Sequence, residues 1–311
     1  MSFNQYTWDL YKQTTIGIEM IKYFSDAGGY VLFKDYCPYA NFIPEDLYND
    51  WLENIYCYGV SDYDHPSSLE EAKDLYISLI TLGIRVEGQQ WLPANDFKNM
   101  LGIIQPMSYV LSQFAPEYFF PYLFLCRIFE LNKIADFFNI DLPNIPKRTD
   151  YKGRCMYYWE LCEVFYLFRK ENGLSPADLW SFLYDFAPNN LPSEKIDMPK
   201  PSQVWFIGGR LYQEDKSLES KFWQSSPETK KGDILVHYET SPISAITCIE
   251  ISLTDGVIDP LFRYYGCIYI GNRINIPHIT LKELQTDEYF FKHPLVRKNF
   301  QGVNGWSVNS E

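Results

Sequence analysis

The chain is short of the groups on which most enzymes rest. It holds four histidines: His65, His237, His278 and His293. They are spread too widely to form an H-x-x-x-H or H-E-x-x-H pair, which argues against a zinc centre. There is no Walker loop, Gly208-Gly209 does not complete a G-x-G-x-x-G phosphate loop, and no G-x-S-x-G elbow marks a serine hydrolase. A metal-dependent nuclease needs clustered carboxylates, usually with a lysine. The run EDKSLESK (214–221) offers Asp215, Glu219 and Lys221, but it is polar and lacks the apolar strand that would fix a two-metal site. The expectation is a protein with no catalytic residue, no metal and no cofactor.

Other absences narrow the class further. The seven cysteines make no C-x-x-C pair, their number is odd, and the opening MSFNQYTWDL has neither a basic n-region nor a signal-type apolar run. Reduced thiols and a cytoplasmic location are therefore expected. No long hydrophobic stretch occurs. The most apolar run, YFFPYLFLC (118–126), is too short for a bilayer and contains Pro121, so it is expected in a core and no membrane association is expected. Positive charge is scarce: 27 Lys and Arg face 40 Asp and Glu, a net charge of −13, which disfavours non-specific nucleic-acid binding. The acidity is uneven. Residues 196–311 carry 12 basic and 14 acidic residues, against 15 and 26 in the remainder. The last third is thus near neutral and can still carry a local basic face.

Aromatics are plentiful, with 25 Tyr, 22 Phe and 8 Trp. They supply core and interface, and also stacking surfaces for a planar ligand. Residues 1–190 read as a helical domain. In SSLEEAKDLYISLITLG (67–83), Ser67 and Glu70 suggest a capping box, Leu69, Ala72, Leu75, Tyr76 and Leu79 form one apolar face, and Gly83 suits the residue past the end. In LSPADLWSFLYDFAP (174–188), Ser175 is an N-cap, Pro176 takes the first helical position and Asp178 favours the positive end. Residues 156–168 (MYYWELCEVFYLF) read as a helix with a wide aromatic face. Such a face can form a dimer interface as readily as a core, which suggests a homodimer or protein partner through this domain.

PNNLPSEKIDMPKP (188–201) is proline-rich and polar, and residues 191–201 are assigned as a linker. Beyond it the texture turns to short β-rich runs: VWFIGG (204–209), GDILVHYE (232–239), ISAITCIEISL (243–253) and GCIYIGNRINI (266–276), with a helical piece at 280–291. The expected fold class is α+β, a helical domain followed over 202–311 by a small, partly open β-barrel with helical insertions. Alternation along 234–239 sends Ile234, Val236 and Tyr238 to one face and Leu235, His237 and Glu239 to the other. Tyr238 then ends at the rim among core residues, and His237 turns away from the expected pocket.

Binding fits this composition better than catalysis. Trp205, Trp223, Tyr238, Tyr264, Tyr265, Phe300 and Trp306 are material for an aromatic pocket of the kind that holds a flipped base. HPLVRKNFQGVNGW (293–306) adds Arg297 and Lys298 for phosphates, and Gln301 and Asn304 for base edges. Lys230 and Lys231 at the turn into the 232–239 strand are further candidate nucleic-acid contacts.

These residues carry a resemblance. V-W-F-I-G-G (204–209), Trp223, K-K-G-D-I-L-V-H-Y (230–238), S-P-I-S-A-I (241–246) and Y-I-G-N-R-I (269–274) resemble the PUA-like superfamily, closest to its EVE-type branch, over the last third of the chain only. The resemblance implies a PUA-like barrel that reads a modified base, methylated or hydroxymethylated cytosine in DNA ahead of RNA. Related bacterial readers are often fused to defence effectors. It also implies a pocket built from Trp205, Trp223, Tyr238, Ser241 and Ser244. The acidic helical part carries no nuclease motif, and the counts show no strongly basic surface, which counts against tight duplex binding. The competing expectation is an adaptor that docks a protein through its acidic helical domain and uses the barrel as structure.

Overall fold

The computed structural model describes residues 3–37, 40–192, 198–209, 221–262 and 266–308. It mixes helix and sheet in an α+β arrangement. Contacts divide the chain into two units: Met1–Ser193 with Pro260–Arg263, and Glu194–Asp259 with Tyr264–Glu311. No helix among the described residues is long and apolar enough to cross a membrane.

Among the described residues, the regular structure of the first unit is helical apart from one hairpin, β1 (Ile84–Val86) with β2 (Gln89–Leu92). Its helices start on polar side chains. Asn4, Thr14, Ser68, Asp150 and Ser175 each accept a hydrogen bond from a first-turn N–H, which satisfies one of the donors a helix start leaves open. Ser175 and Asp178 form the full reciprocal box with Pro176 beside them, and Gly83 closes its helix at φ +75°. The expected Ser67–Glu70 box is displaced by one residue. The helix begins at Leu69, so Ser68 is the cap, and Ser67 instead donates its N–H and hydroxyl to Glu71 at 2.7 and 2.8 Å.

The helix foreseen at 156–168 runs over Tyr151–Glu171 and is buried on most of its faces, including Arg154, Tyr157, Tyr158, Trp159, Leu161 and Arg169. Beside it lies the apolar run 118–126, which is buried but not regular structure. Its backbone polar groups still need partners, and side-chain hydroxyls supply them. Tyr158 donates to the Phe120 carbonyl at 2.8 Å, Tyr184 donates to the Pro121 carbonyl, and Ser108 accepts from the Tyr122 N–H at 2.8 Å. Tyr158 and Tyr184 thus serve the backbone while filling the core. Tyr158→Phe should leave one buried carbonyl unpaired and cost about 1–2 kcal/mol, measured as a shift of the denaturant midpoint.

The second unit is a mixed sheet curled into a half-barrel. Its strands are β3 (Val204–Gly209), β4 (Lys221–Ser225), β5 (Ile234–Glu239), β6 (Ala245–Ser252), β7 (Val257–Ile258), β8 (Gly266–Thr280) and β9 (Trp306–Ser307). Six lie in the order β4-β8-β6-β5-β3-β9, and β7 pairs with β8 beside that row. β3 runs parallel to β5, and the other pairs are antiparallel. Beyond Ile270, β8 is paired only with β6 among the described residues, so Pro277 falls where no second ladder needs its N–H.

The two faces of this sheet are finished differently. Phe206, Val236, Tyr238 and Ile246 on the outer face are covered by Leu284, Leu295, Val296, Phe300 and Val303 of the C-terminal segment. Trp205, Ile207, Leu235, Ile268, Ile270 and Trp223 pack together on the inner face.

Candidate functional site

The inner face is enclosed by side chains as well as by ladders. β4 and β3 lie near opposite ends of the strand row, and Trp223 of β4 spans the gap. A Cβ on Gly209 would sit 2.8 Å from the Trp223 ring, so only glycine lets the indole lie against β3 there. The indole Nε1–H donates to Asn304 Oδ1 at 3.3 Å, and the same oxygen accepts the Gly208 N–H at 2.8 Å. Trp223 remains part-exposed.

Trp205 is fixed by Asp233. The KKGD turn places this fully buried carboxylate at the head of β5. One oxygen accepts from the Ser202 N–H (2.9 Å), the Ser202 hydroxyl (2.7 Å) and the Gln203 N–H (3.0 Å). The other accepts from the Trp205 indole (2.9 Å) and the Lys230 N–H (2.8 Å). Burial works to raise this carboxyl's pKa, but the donors from Lys230, Trp205 and Ser202 prevail and hold it below the usual carboxylate range. Gly232, at φ +92°, makes the turn possible: a Cβ there would lie 2.5 Å from the Pro199 carbonyl oxygen.

A polar chain crosses the same inner face. His237 on β5 lies opposite Cys248 on β6. His237 Nδ1 meets Glu250 Oε2 at 3.1 Å, and Glu250 Oε1 accepts from Arg273 Nε at 2.8 Å, with Arg273 Nη2 also at 2.8 Å. His237 and Glu250 are buried and Arg273 reaches outward at 23% side-chain exposure. Burial pushes the Glu250 carboxyl up, yet its hydrogen bonds to His237 and Arg273 and the Arg273 charge outweigh it and hold it below its ordinary value. Burial and the nearby Glu250 charge push the Cys248 thiol up to about 11. His237 also meets the Trp223 ring edge to face, centroids 4.8 Å apart.

His237, Cys248 and Glu250 bring donor atoms within 4.8 Å of one another. Their chemistry does not suit a cation. The carboxylate is already taken by an imidazole N–H and a guanidinium, the thiol is protonated at neutral pH, and the fixed charge of Arg273 opposes a metal. The group acts as an internally neutralised polar network.

The structure divides the pocket residues expected from sequence. Trp205 and Trp223 share the inner face. Tyr238 does not join them. Its ring is 3% exposed in the outer-face core and stacks on Phe300 at 3.9 Å, and its hydroxyl engages Ser244. The alternation along β5 is as expected, but the enclosed face is that of His237, so the sheet's curl reverses which side is of interest. Ser241 is exposed and Ser244 half-buried, both in the β5–β6 turn.

Of the expected nucleic-acid contacts, Arg297 and Gln301 are exposed. Lys298 is exposed over the Trp306 ring at 5.5 Å, and Lys230 pairs with Asp255 at 3.3 Å. Lys231 is half-buried and donates its backbone N–H to Asp255. Asn304 Oδ1 is spent on Gly208 and Trp223. The EDKSLESK segment up to residue 220, Tyr264 and Tyr265 lie outside the described residues. Sequence reasoning set His237 aside and missed Glu250 and Arg273. Their only local signal is a charged residue inside a β-rich run.

No protein-family model matches the chain, and no curated protein matches it. Among solved structures, an NMR structure of a structural-genomics target from Rhodopseudomonas palustris aligns at 13% identity and a TM-score of 0.29. The alignment covers 34% of this chain and 86% of that one.

Proposed function

We propose that the second unit is a PUA-like, EVE-type domain that recognises a nucleic-acid base, with methylated or hydroxymethylated cytosine in DNA as the favoured ligand. The observation that carries this reading is Trp223: a part-exposed indole on the enclosed face of the half-barrel, with the His237–Glu250–Arg273 network beside it. A flipped base is held by a ring surface together with polar groups on its edge, and both kinds of group occur here. The near-neutral charge of residues 196–311 favours recognition of one extruded or single-stranded base over a wide phosphate footprint. Binding should therefore weaken only shallowly with salt.

Trp223→Ala removes the ring on which a base would stack. It should weaken binding of single-stranded oligonucleotides carrying modified cytosine by roughly ten- to a hundredfold, the share of one stacked base. Fluorescence anisotropy measures this. Wild-type affinity in that variant, with an unchanged melting profile, would set the reading aside.

The adaptor reading retains one observation in the first unit, where Tyr6, Leu10, Ile16 and Ile18 are all exposed on the first two helices. Light scattering with and without oligonucleotide separates the two. Self-association that is indifferent to nucleic acid favours the adaptor.

A further inference from the structure

Among the described residues, the second unit leaves one buried side-chain nitrogen or oxygen without a hydrogen-bond partner: Nε2 of His237, on a residue that is 0% exposed. A polar atom in that position is destabilising unless something pairs with it. The rest of the ring is tightly specified. Glu250 is an acceptor, so the nitrogen facing it, Nδ1, carries the proton. Arg273 already supplies the carboxylate with a counter-charge, so its pairing with His237 needs only the Nδ1 proton. In that tautomer Nε2 presents a lone pair. It belongs to the ring that packs in a T-shaped contact with Trp223, and on its strand His237 stands opposite Ile207 and Cys248 within the inner face.

We infer that His237 Nε2 is the specificity-determining acceptor of this site, taking a hydrogen bond from the exocyclic amino group of a cytosine-class base held at Trp223. The inference rests on the base-recognition reading and sharpens it. Methyl or hydroxymethyl substitution at C5 leaves that amino group in place, so both modified cytosines satisfy the acceptor. Thymine carries a carbonyl oxygen at the same position, which would face a lone pair with a lone pair. Two bases that share the C5 methyl group thus differ at the atom His237 reads. Glu250 and Arg273 act as positioning residues, since they hold the proton on Nδ1.

The test compares single-stranded oligonucleotides of one sequence that carry 5-methylcytosine or thymine at a single position, by anisotropy with wild-type protein and with His237→Phe. Wild type should prefer 5-methylcytosine at least about tenfold, the usual scale of one neutral hydrogen bond. His237→Phe, shown to be folded by its melting profile, should bind both about equally. His237→Gln, which restores an acceptor oxygen, should recover part of the preference. If the Phe variant does not fold, nitrogen-15 NMR of the wild-type histidines gives an independent reading: His237 Nε2 should resonate as an unprotonated nitrogen and shift on addition of the 5-methylcytosine oligonucleotide. A protonated Nε2, or no shift on binding, overturns the inference. So does equal wild-type affinity for the two bases, or an undiminished preference in a folded Phe variant. In these cases base binding that depends on Trp223 would still stand. If wild type binds no oligonucleotide, the base-recognition reading and this inference fall together.

Discussion

Asp233→Ala should destabilise the second unit by about 3–5 kcal/mol, because several buried donors around one carboxylate would lose their acceptor together. Two of those donors, the Ser202 and Gln203 N–H groups, set the entry into β3, and the Lys230 N–H sets the turn into β5. The Trp205 indole is held by the same carboxylate. Losing the carboxylate therefore loosens the parallel pairing of β3 with β5 at its start. Asp233→Asn preserves shape but turns an amide nitrogen toward donors, and should still cost about 2–3 kcal/mol. Denaturant unfolding followed by amide exchange in β3 and β5 measures both. A cost below about 1 kcal/mol for Asp233→Ala would mean that the turn stands without its anchor.

Glu250→Ala should be of similar size, about 3–5 kcal/mol, because it leaves the His237 Nδ1–H buried without an acceptor and Arg273 without its counter-charge. Exchange of the β5 and β6 amides should show the loss. Both carboxyls also make the fold acid-sensitive, and the sign follows from their lowered values. In the folded chain they stay ionised to a lower pH than in the unfolded chain, so the unfolded state takes up protons first. Their contribution is complete above the ordinary carboxylate range. It shrinks as pH falls below about 5 and is gone once pH passes below the folded-state values. Asp233→Asn and Glu250→Gln should each flatten the loss of stability between neutral pH and pH 3. An unchanged slope in both would remove these groups as its cause.

What was legible in the chain was local. Ser175, Pro176 and Asp178 announce a helix start because capping is settled within four residues. VWFIGG and the runs at 232, 243 and 266 announce strands because punctuation by Gly, Pro and Asp is local too. Even the alternation along β5 was correct. The sequence did not reveal which face of the sheet would be enclosed. That depends on the curl of the whole row and on bulges between His237 and Tyr238 and within the β6–β8 pair. A β6–β8 irregularity lies at Glu250, which meets Arg273, 23 positions away, while the regular β5–β6 register sets Glu250 diagonal to His237, 13 positions away. Tyr238 looked like a rim aromatic because nothing local marks Phe300 as its cover. Asn304 looked like a base reader because its two partners, Gly208 and Trp223, are 96 and 81 positions distant.

The seam at Trp223 also sets an order of events during synthesis. Its indole is fastened by Asn304, and β3 takes its outer partner from β9, so the last parts of the enclosure come from residues 304–307. A ribosome-bound chain that has exposed β3 to β8 already holds most of the ladder. It has nothing yet to pin the tryptophan against Gly209. Pairings across such long separations form late. The interior therefore becomes a finished compartment only after residue 304 has left the exit tunnel, and any binding assigned to it is acquired no earlier than that.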